Sequence, residues 1–264
     1  MPTSRRETTR CTAISPQATT RLARDPRFLY ADNETGRQAA LADCRRMIQD
    51  QLARSRTLFG RQPPEPIEVQ RVPEFKQATA PGAYCMPPAL DGSRPEQGGP
   101  TVRKVLPFTA YQEGWALYAE WLGSELGLGQ TDPFGDLGRL QGEVFRAVRL
   151  VVDTGLHAQR WPRQRAIDYL LAQTGMPQGE VVAEIERYLV DPGQAGAYKV
   201  GMLAIRTARS RAQQALDPRW DARALRDFHD VVLGSGALPL EIRDELVDGW
   251  VRRRLSPAQS GVGS

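Results

Sequence analysis

The segment FTAYQEGWALYAEWL, residues 108–122, decides how the rest of the chain can fold. Apolar side chains recur along it at helical spacing and leave only a narrow polar wedge, formed by Gln112, Glu113 and Glu120. A helix with so little polar surface has to be enclosed by other elements. The segment therefore predicts a largely buried helix, and Thr109 with Gln112 has the spacing of a capping box at its start.

Helical patterns also dominate the rest of the chain. Several further segments carry an apolar stripe at helical spacing, and glycines or prolines stand at their ends, as is typical of helix boundaries. The sequence therefore predicts a mainly α fold. The predicted helices cover residues 34–59, 137–157, 163–172, 177–189, 195–216, 222–233 and 240–255.

We expect one helical domain over residues 21–255, with disordered segments at 1–20 and 256–264. Residues 60–107 are rich in proline, which forbids long helices, so this stretch is interpreted as a connector. Only residues 67–72 alternate as a strand would, and no second strand is predicted to pair with them. A minor β element near 67–72 is therefore the most that the pattern allows.

The charge balance does not require a nucleic-acid partner. The net charge of +4 results from 35 basic and 31 acidic residues, so both signs are interspersed. Dense basic clusters occur only near the two ends of the chain and lack interleaved aromatic residues. We therefore predict no nucleic-acid partner.

No stretch approaches the roughly 20 consecutive apolar residues of a membrane span, and residues 1–17 lack the apolar core of a signal peptide. Three scattered cysteines, Cys11, Cys44 and Cys85, fit neither a disulfide framework nor a zinc ribbon. They are typical of free thiols in a reducing compartment. The default expectation is a cytoplasmic protein without a membrane span.

Arg149, Asp153 and His157 follow one another at steps of four in a predicted helix, close enough for a chain of ion pairs. A carboxylate one turn before an imidazole can fix the tautomer of the ring and raise its basicity. The same spacing also suits a histidine that is stabilised at the end of a helix by the helix dipole. Separately, Tyr198 and Lys199 lie in the first turns of a predicted helix, where backbone amides favour an anion.

The histidine count argues against a zinc-peptidase site. Such a site needs two histidines at steps of four with a glutamate beside the first. The chain contains only His157 and His229, and they fall in different predicted helices. We therefore expect no cofactor in this chain.

The segment 108–120, FTAYQEGWALYAE, resembles the signature of the bacterial domain-of-unknown-function family 885, whose members are regarded as zinc-metallopeptidase-like proteins of the gluzincin type. Further segments resemble the family in the same order along the chain, so the resemblance covers about residues 22–255. These segments are DPRFLY (25–30), APGAY (80–84), DGSRP (91–95), VVDTGLHA (151–158), EIERY (184–188) and PGQA (192–195).

The resemblance implies a helical zincin-like fold and a zinc-dependent site that hydrolyses peptides or small amides. By similarity, Glu113 would be the third zinc ligand. His157 and Tyr198 would hydrogen-bond the oxyanion or the substrate carboxylate, and Asp153 would support them.

In the family, a helix with the pattern His-Glu-x-x-Pro-Gly-His follows the Asp-Gly-Ser-Arg-Pro segment and supplies the zinc ligands and the general base. Here Pro95 is followed by twelve residues without that pattern and then by Phe108. The resemblance therefore implies an internal deletion within residues 60–107.

The leading interpretation is a truncated or degenerate relative of a zinc-dependent peptidase or amide hydrolase, inactive as it stands. One alternative is an active metal-dependent hydrolase with a rearranged site. Another is a helical binding module that self-associates, because loss of a core helix would expose apolar surface.

Overall fold

In a computed structural model the chain forms nine α-helices and no strand within the residues that the structure describes, which are 25–26, 29–62, 67, 69, 71, 106 and 108–256. The mainly α prediction is confirmed. The helices are α1 (Glu34–Ser55), α2 (Thr109–Glu125), α3 (Leu128–Thr131), α4 (Pro133–His157), α5 (Arg163–Thr174), α6 (Gln178–Val190), α7 (Gln194–Leu216), α8 (Ala222–Gly234) and α9 (Leu240–Leu255).

Several predictions concern residues outside the described part of the chain. The disorder expected for 1–20 and for 257–264 falls there, as does most of the connector. Of the β element near 67–72, only Ile67, Val69 and Arg71 are described, and they lie in no strand. Within the described ranges, no helix is both long and apolar enough to cross a membrane.

Contacts divide the chain into one unit over residues 30–107 and a second that contains α2–α9. In the first unit, Asn33 caps α1, since its side chain accepts a hydrogen bond from the Gly36 amide at 2.9 Å. Met47 remains 56% exposed and Ile67 49% exposed. Together with Ile48 and Leu52 of α1, they line an apolar groove of about 270 Å³.

In the larger unit, α2 and α7 cross at two glycines. A β-carbon built on Gly114 would lie 2.5 Å from the backbone carbonyl carbon of Gly201, so only hydrogen atoms can occupy this contact. The buried residues of α2 include Tyr111, Leu117, Tyr118 and Leu122. One face of α2 is thus buried at the crossing with α7, whereas Gln112, Ala116, Ala119 and Glu120 are exposed, so the helix is less enclosed than predicted.

The predicted capping box at the start of α2 is wrong. Phe108 is the N-cap residue, and no side chain makes a capping hydrogen bond there. Thr109 is already the first helical residue, one position too late to cap the free amides of the first turn. The spacing of Thr109 and Gln112 matched the motif, but the helix begins one residue earlier than the motif requires.

The apolar core of α4, α5 and α6 lies beside this crossing. Asp132 caps α4 by accepting a hydrogen bond from the Gly135 amide at 2.9 Å, and Pro133 occupies the first turn, where its missing amide costs nothing. The buried core residues come from all three helices and from the start of α7. They are Val148, Val152, Leu156, Ala166, Ile167, Leu170, Val181, Ile185, Tyr188 and Ala195.

Candidate functional site

The structure brings two of the predicted site residues, Glu113 of α2 and Tyr198 of α7, to the same side chain. Gln194, the first residue of α7, donates its amide Nε2 to Glu113 Oε1 at 3.3 Å and to the Tyr198 hydroxyl at 3.5 Å. The close crossing of α2 and α7 makes this possible, because Glu113 directly precedes Gly114 at the crossing. Glu113, Gln194 and Tyr198 are each half-buried.

Two arginines approach the same carboxamide from its other side. The Gln194 carbonyl oxygen accepts hydrogen bonds from Arg187 Nη1 at 2.7 Å and from Arg149 Nη2 at 3.4 Å. These arginines belong to α6 and α4. We call the five residues Glu113, Arg149, Arg187, Gln194 and Tyr198 the Gln194 cluster; it joins four helices at one point.

Arg149 is buried without a carboxylate partner in the described part of the chain. Its exposed fraction is 4%, its Nε has no hydrogen-bond partner, and it makes no ion pair. Its guanidinium carbon lies 4.5 Å from the ring centroid of Tyr198 and 5.4 Å from that of Tyr188. Aromatic faces stabilise a cation, yet a buried charge ordinarily also needs an anion.

Arg187, by contrast, is neutralised locally. Its Nη2 lies 3.0 Å from Glu184 Oε2, and the Tyr188 hydroxyl donates to the same oxygen at 2.7 Å. Burial raises the pKa of the Glu184 carboxyl, but these hydrogen bonds outweigh burial and hold it below its ordinary value. Burial likewise raises the pKa of the Tyr188 phenol, which keeps it a donor. The carboxylates of Glu113 and Glu184 thus offset the charges of the two arginines, but neither is in direct ion-pair contact with Arg149, which acts on Glu184 only at longer range.

Asp153 binds the start of α7. Both of its carboxylate oxygens accept from the Gly193 amide, at 3.2 and 3.1 Å. A carboxylate there is stabilised by the free amides and the dipole of α7. The anion that the sequence suggests for this helix start is thus supplied by Asp153, and Lys199 turns instead to Glu143, 2.6 Å away.

His157 contacts the end of α6 instead. Its Nε2 donates to the Tyr188 carbonyl oxygen at 2.9 Å, and the same nitrogen is 3.9 Å from Asp153 Oδ1, too far for a hydrogen bond. Of the ion-pair chain that the sequence suggests along α4, only the Asp153–His157 pair comes within ion-pair distance, while Arg149 turns to the Gln194 carbonyl.

These side chains do not fit a zinc ion. Glu113 is the one metal-binding side chain of the Gln194 cluster, and its neighbours there include two guanidinium cations, which repel a divalent ion. In the described ranges, no three histidine, cysteine, aspartate or glutamate side chains are grouped so that they could hold a metal.

Sequence reasoning missed Gln194 and Arg187, although both lie in segments that resemble the family, EIERY and PGQA. A glutamine after a Pro-Gly turn carries no chemical signal by itself. Its importance arises from the four side chains that converge on it, of which Glu113 and Arg149 come from helices distant in sequence.

Comparisons with known proteins find a matching family and a similar solved structure. The model of a family described as "Bacterial protein of unknown function (DUF885)" matches residues 6–98 and 96–247. A crystal structure described as that of "the putative lipoprotein from Colwellia psychrerythraea" is 39% identical, with a TM-score of 0.85 over 90% of this chain. The match covers 47% of the Colwellia chain, so the present chain spans about half of its length. No curated protein matches the chain.

The prediction of a cytoplasmic location is wrong in view of this match, because the similar Colwellia chain is described as a lipoprotein. The prediction rested on the absence of an apolar leader in residues 1–17, and that is a weaker observation than a relative of 39% identity.

Proposed function

Because this chain belongs to the bacterial family of unknown function DUF885, we propose that it is a truncated or degenerate relative of a zinc-dependent peptidase or amide hydrolase. In this proposal it no longer hydrolyses its substrate but still binds a peptide or a small amide. The Gln194 cluster is the binding site. Glu113, Arg149, Arg187 and Tyr198 contact the ligand, while Asp153 and His157 hold the ends of α7 and α6 in place.

The single observation that carries the proposal is the burial of Arg149 without a carboxylate partner in the described residues. Burying an unpaired cation costs several kcal/mol, and proteins retain such groups mostly where they bind something. An amide carbonyl or another oxygen-rich group of a ligand would supply the missing acceptor. Tyr198 and Tyr188 beside the guanidinium make the surroundings suitable for an organic ligand.

The loss of activity is supported by two observations. The family model matches in two segments that meet at residues 96–98, next to the Asp91–Pro95 segment after which the metal helix is expected. The chain also has only His157 and His229, and His157 is engaged with the end of α6. Without the zinc helix, both the electrophile and the general base of hydrolysis are missing.

We further propose that the protein works outside the cytoplasm, at a membrane surface. The support is the 39% identity to the Colwellia chain described as a lipoprotein.

The first experiment measures metal content and turnover. The purified chain is analysed for bound zinc, and peptide mixtures are incubated with it in the presence and absence of added zinc. We expect no stoichiometric zinc and no hydrolysis. About one tightly bound zinc per chain together with zinc-dependent hydrolysis, both lost in Glu113→Ala, would instead establish an active hydrolase with a rearranged site and overturn the proposal.

The second experiment measures binding by calorimetry with N-acetylalaninamide, which carries a peptide bond and a primary amide. We expect saturable binding to the intact chain and its loss in Arg149→Met. As a matched control, Arg163→Met removes an exposed arginine that pairs with Glu186, and it should leave the affinity unchanged. Absence of binding to the intact chain would exclude the binding function.

A second candidate function is self-association through the apolar groove on α1. The observation in its favour is the exposure of Met47, 56%, beside Ile48, Leu52 and Ile67. The apolar face of α2 does not contribute, since no large apolar residue of α2 is among those exposed in the described chain. Concentration-dependent light scattering tests this function: a Met47→Glu variant that is less associated than the parent supports it, and a monomeric parent refutes it.

A further inference from the structure

We propose that the Gln194 side chain is an internal occupant of the ligand site and that the site is built for a neutral amide. This inference rests on the proposed function and specifies its ligand. The Gln194 carboxamide has the donors and acceptors of a peptide group, with its oxygen facing Arg187 and Arg149 and its nitrogen facing Glu113 and Tyr198.

The polarity of the surroundings selects an amide over other groups. A carboxylate in the place of the Gln194 carboxamide would direct its second oxygen at Glu113 Oε1, which lies 3.3 Å from the present nitrogen, and like charges would repel. An ammonium group in the place of the carbonyl oxygen would lie 2.7 Å from Arg187 Nη1, and the two positive charges would repel each other. An ester accepts from the arginines but has no hydrogen to donate to Glu113.

Gln194 is placed so that its side chain can leave. It is half-buried at the first position of α7, and Asp191, Pro192 and Gly193 before it are exposed. The start of α7 is held independently, by the hydrogen bonds from the Gly193 amide to Asp153. Rotation of the Gln194 side chain into solvent would therefore free the two arginines without unfolding the helix.

An internal occupant lowers the apparent affinity for an external ligand, because the ligand binds only the fraction of molecules in which the site is vacated. Removing the Gln194 side chain should therefore strengthen binding, although it removes contacts from the free protein. A glutamine with a purely structural role predicts the opposite, since its loss would only loosen the binding residues.

The experiment compares the intact chain with Gln194→Ala and Gln194→Glu by calorimetry, using N-acetylalaninamide and methyl O-acetyllactate, the analogue in which both amides are replaced by esters. Gln194→Ala should bind the amide about tenfold more tightly, the size expected for one hydrogen bond to a charged group. Gln194→Glu should also bind it more tightly than the intact chain, because Glu113 repels the carboxylate and makes it a weaker competitor than the carboxamide. The ester should bind to each protein at least about tenfold more weakly than the amide.

Each outcome decides a different statement. If the intact chain binds the amide and Gln194→Ala binds it equally or more weakly, Gln194 is not an internal occupant of the site, and the proposed function stands. If neither binds, the proposed function itself fails. Equal affinity for amide and ester refutes the amide specificity. Circular dichroism melting checks the folding of each variant. If Gln194→Ala does not fold, a Gln194→Glu affinity equal to or below that of the intact chain refutes the role of Gln194 as an internal occupant.

Discussion

Gly114 in α2 and Gly201 in α7 meet backbone to backbone, so that a β-carbon built on Gly201 would lie 2.7 Å from the Gly114 Cα atom. This contact sets the distance between the two helices that carry Glu113 and Gln194. Gly201 follows Gln194 by about two helical turns. The spacing of the proposed ligand site therefore depends on a backbone contact between two glycines.

We predict that Gly201→Ala strongly destabilises the protein. The added methyl would overlap the Ala110 carbonyl oxygen and the Gly114 backbone, which cannot move independently of their helix. The expected loss in the free energy of unfolding is about 3 kcal/mol, in the upper part of the range for overpacking. Urea denaturation followed by circular dichroism measures it.

Gly138→Ala in α4 is the matched control for that substitution. Nothing lies within 4 Å of a β-carbon at Gly138, which is an exposed helical position. Alanine should there stabilise the protein by about 0.5–1 kcal/mol, because it restricts the unfolded chain more than glycine does. A Gly201→Ala variant as stable as Gly138→Ala would contradict the prediction, since it would show that α2 and α7 can move apart without loss of unfolding free energy.

We predict that Arg149→Met abolishes ligand binding without destabilising the protein. Methionine fills a similar volume and removes a buried cation whose Nε lacks a partner, so the unfolding free energy should stay within about 1 kcal/mol of the parent or rise. Affinity for N-acetylalaninamide should be lost. A loss of several kcal/mol in stability would contradict this view and indicate that Arg149 serves mainly to hold α4 and α7 together.

We predict that stability declines in alkaline solution. Burial raises the pKa of Tyr118 to about 12 and that of Tyr111 to about 12. Below about pH 10 the folded and unfolded states both keep these protons, and the contribution to stability is complete. Between about pH 10 and 12 only the unfolded state loses them, so the free energy of unfolding falls by an amount on the order of 2 kcal/mol per tyrosine.

Urea unfolding at a series of pH values tests this decline, with the tyrosinate absorbance recorded in parallel. Tyr118→Phe, which loses the hydrogen-bonding contact of the hydroxyl with His229 Nε2, should be less stable at neutral pH but decline less steeply above about pH 10. If the free energy of unfolding falls equally steeply above about pH 10 in the parent and in Tyr118→Phe, Tyr118 is ruled out as a source of the effect.

We predict that His157→Ala lowers the unfolding free energy by about 1 kcal/mol, the typical value of one lost hydrogen bond, and leaves amide binding intact. The reason is that His157 Nε2 donates to the Tyr188 carbonyl at the end of α6 and makes no contact with the Gln194 cluster in the structure. Calorimetry with the variant gives the affinity. A tenfold or greater loss of affinity would support the direct ligand contact that the family resemblance implies.

Much of the fold was predictable because helices are encoded locally. The apolar periodicity of residues 108–122 predicted α2 as a buried helix, and the start of α4 differs from the prediction by only a few residues. Where local patterns gave a wrong detail, as with the capping box at Thr109, the motif was present but the helix began one residue earlier. Element boundaries are set by small free-energy differences, and the sequence pattern alone does not resolve them.

By itself, the sequence determined the mainly α architecture and the candidate residues Glu113 and Tyr198, because helical periodicity and the family resemblance both depend on residues close to one another in the chain. Only the tertiary structure decided what those residues meet. The spacing of Arg149, Asp153 and His157 places them on one side of α4 but does not fix their partners. Those partners are the Gln194 carbonyl, the Gly193 amide and the Tyr188 carbonyl, and they are set by how α6 and α7 pack on α4.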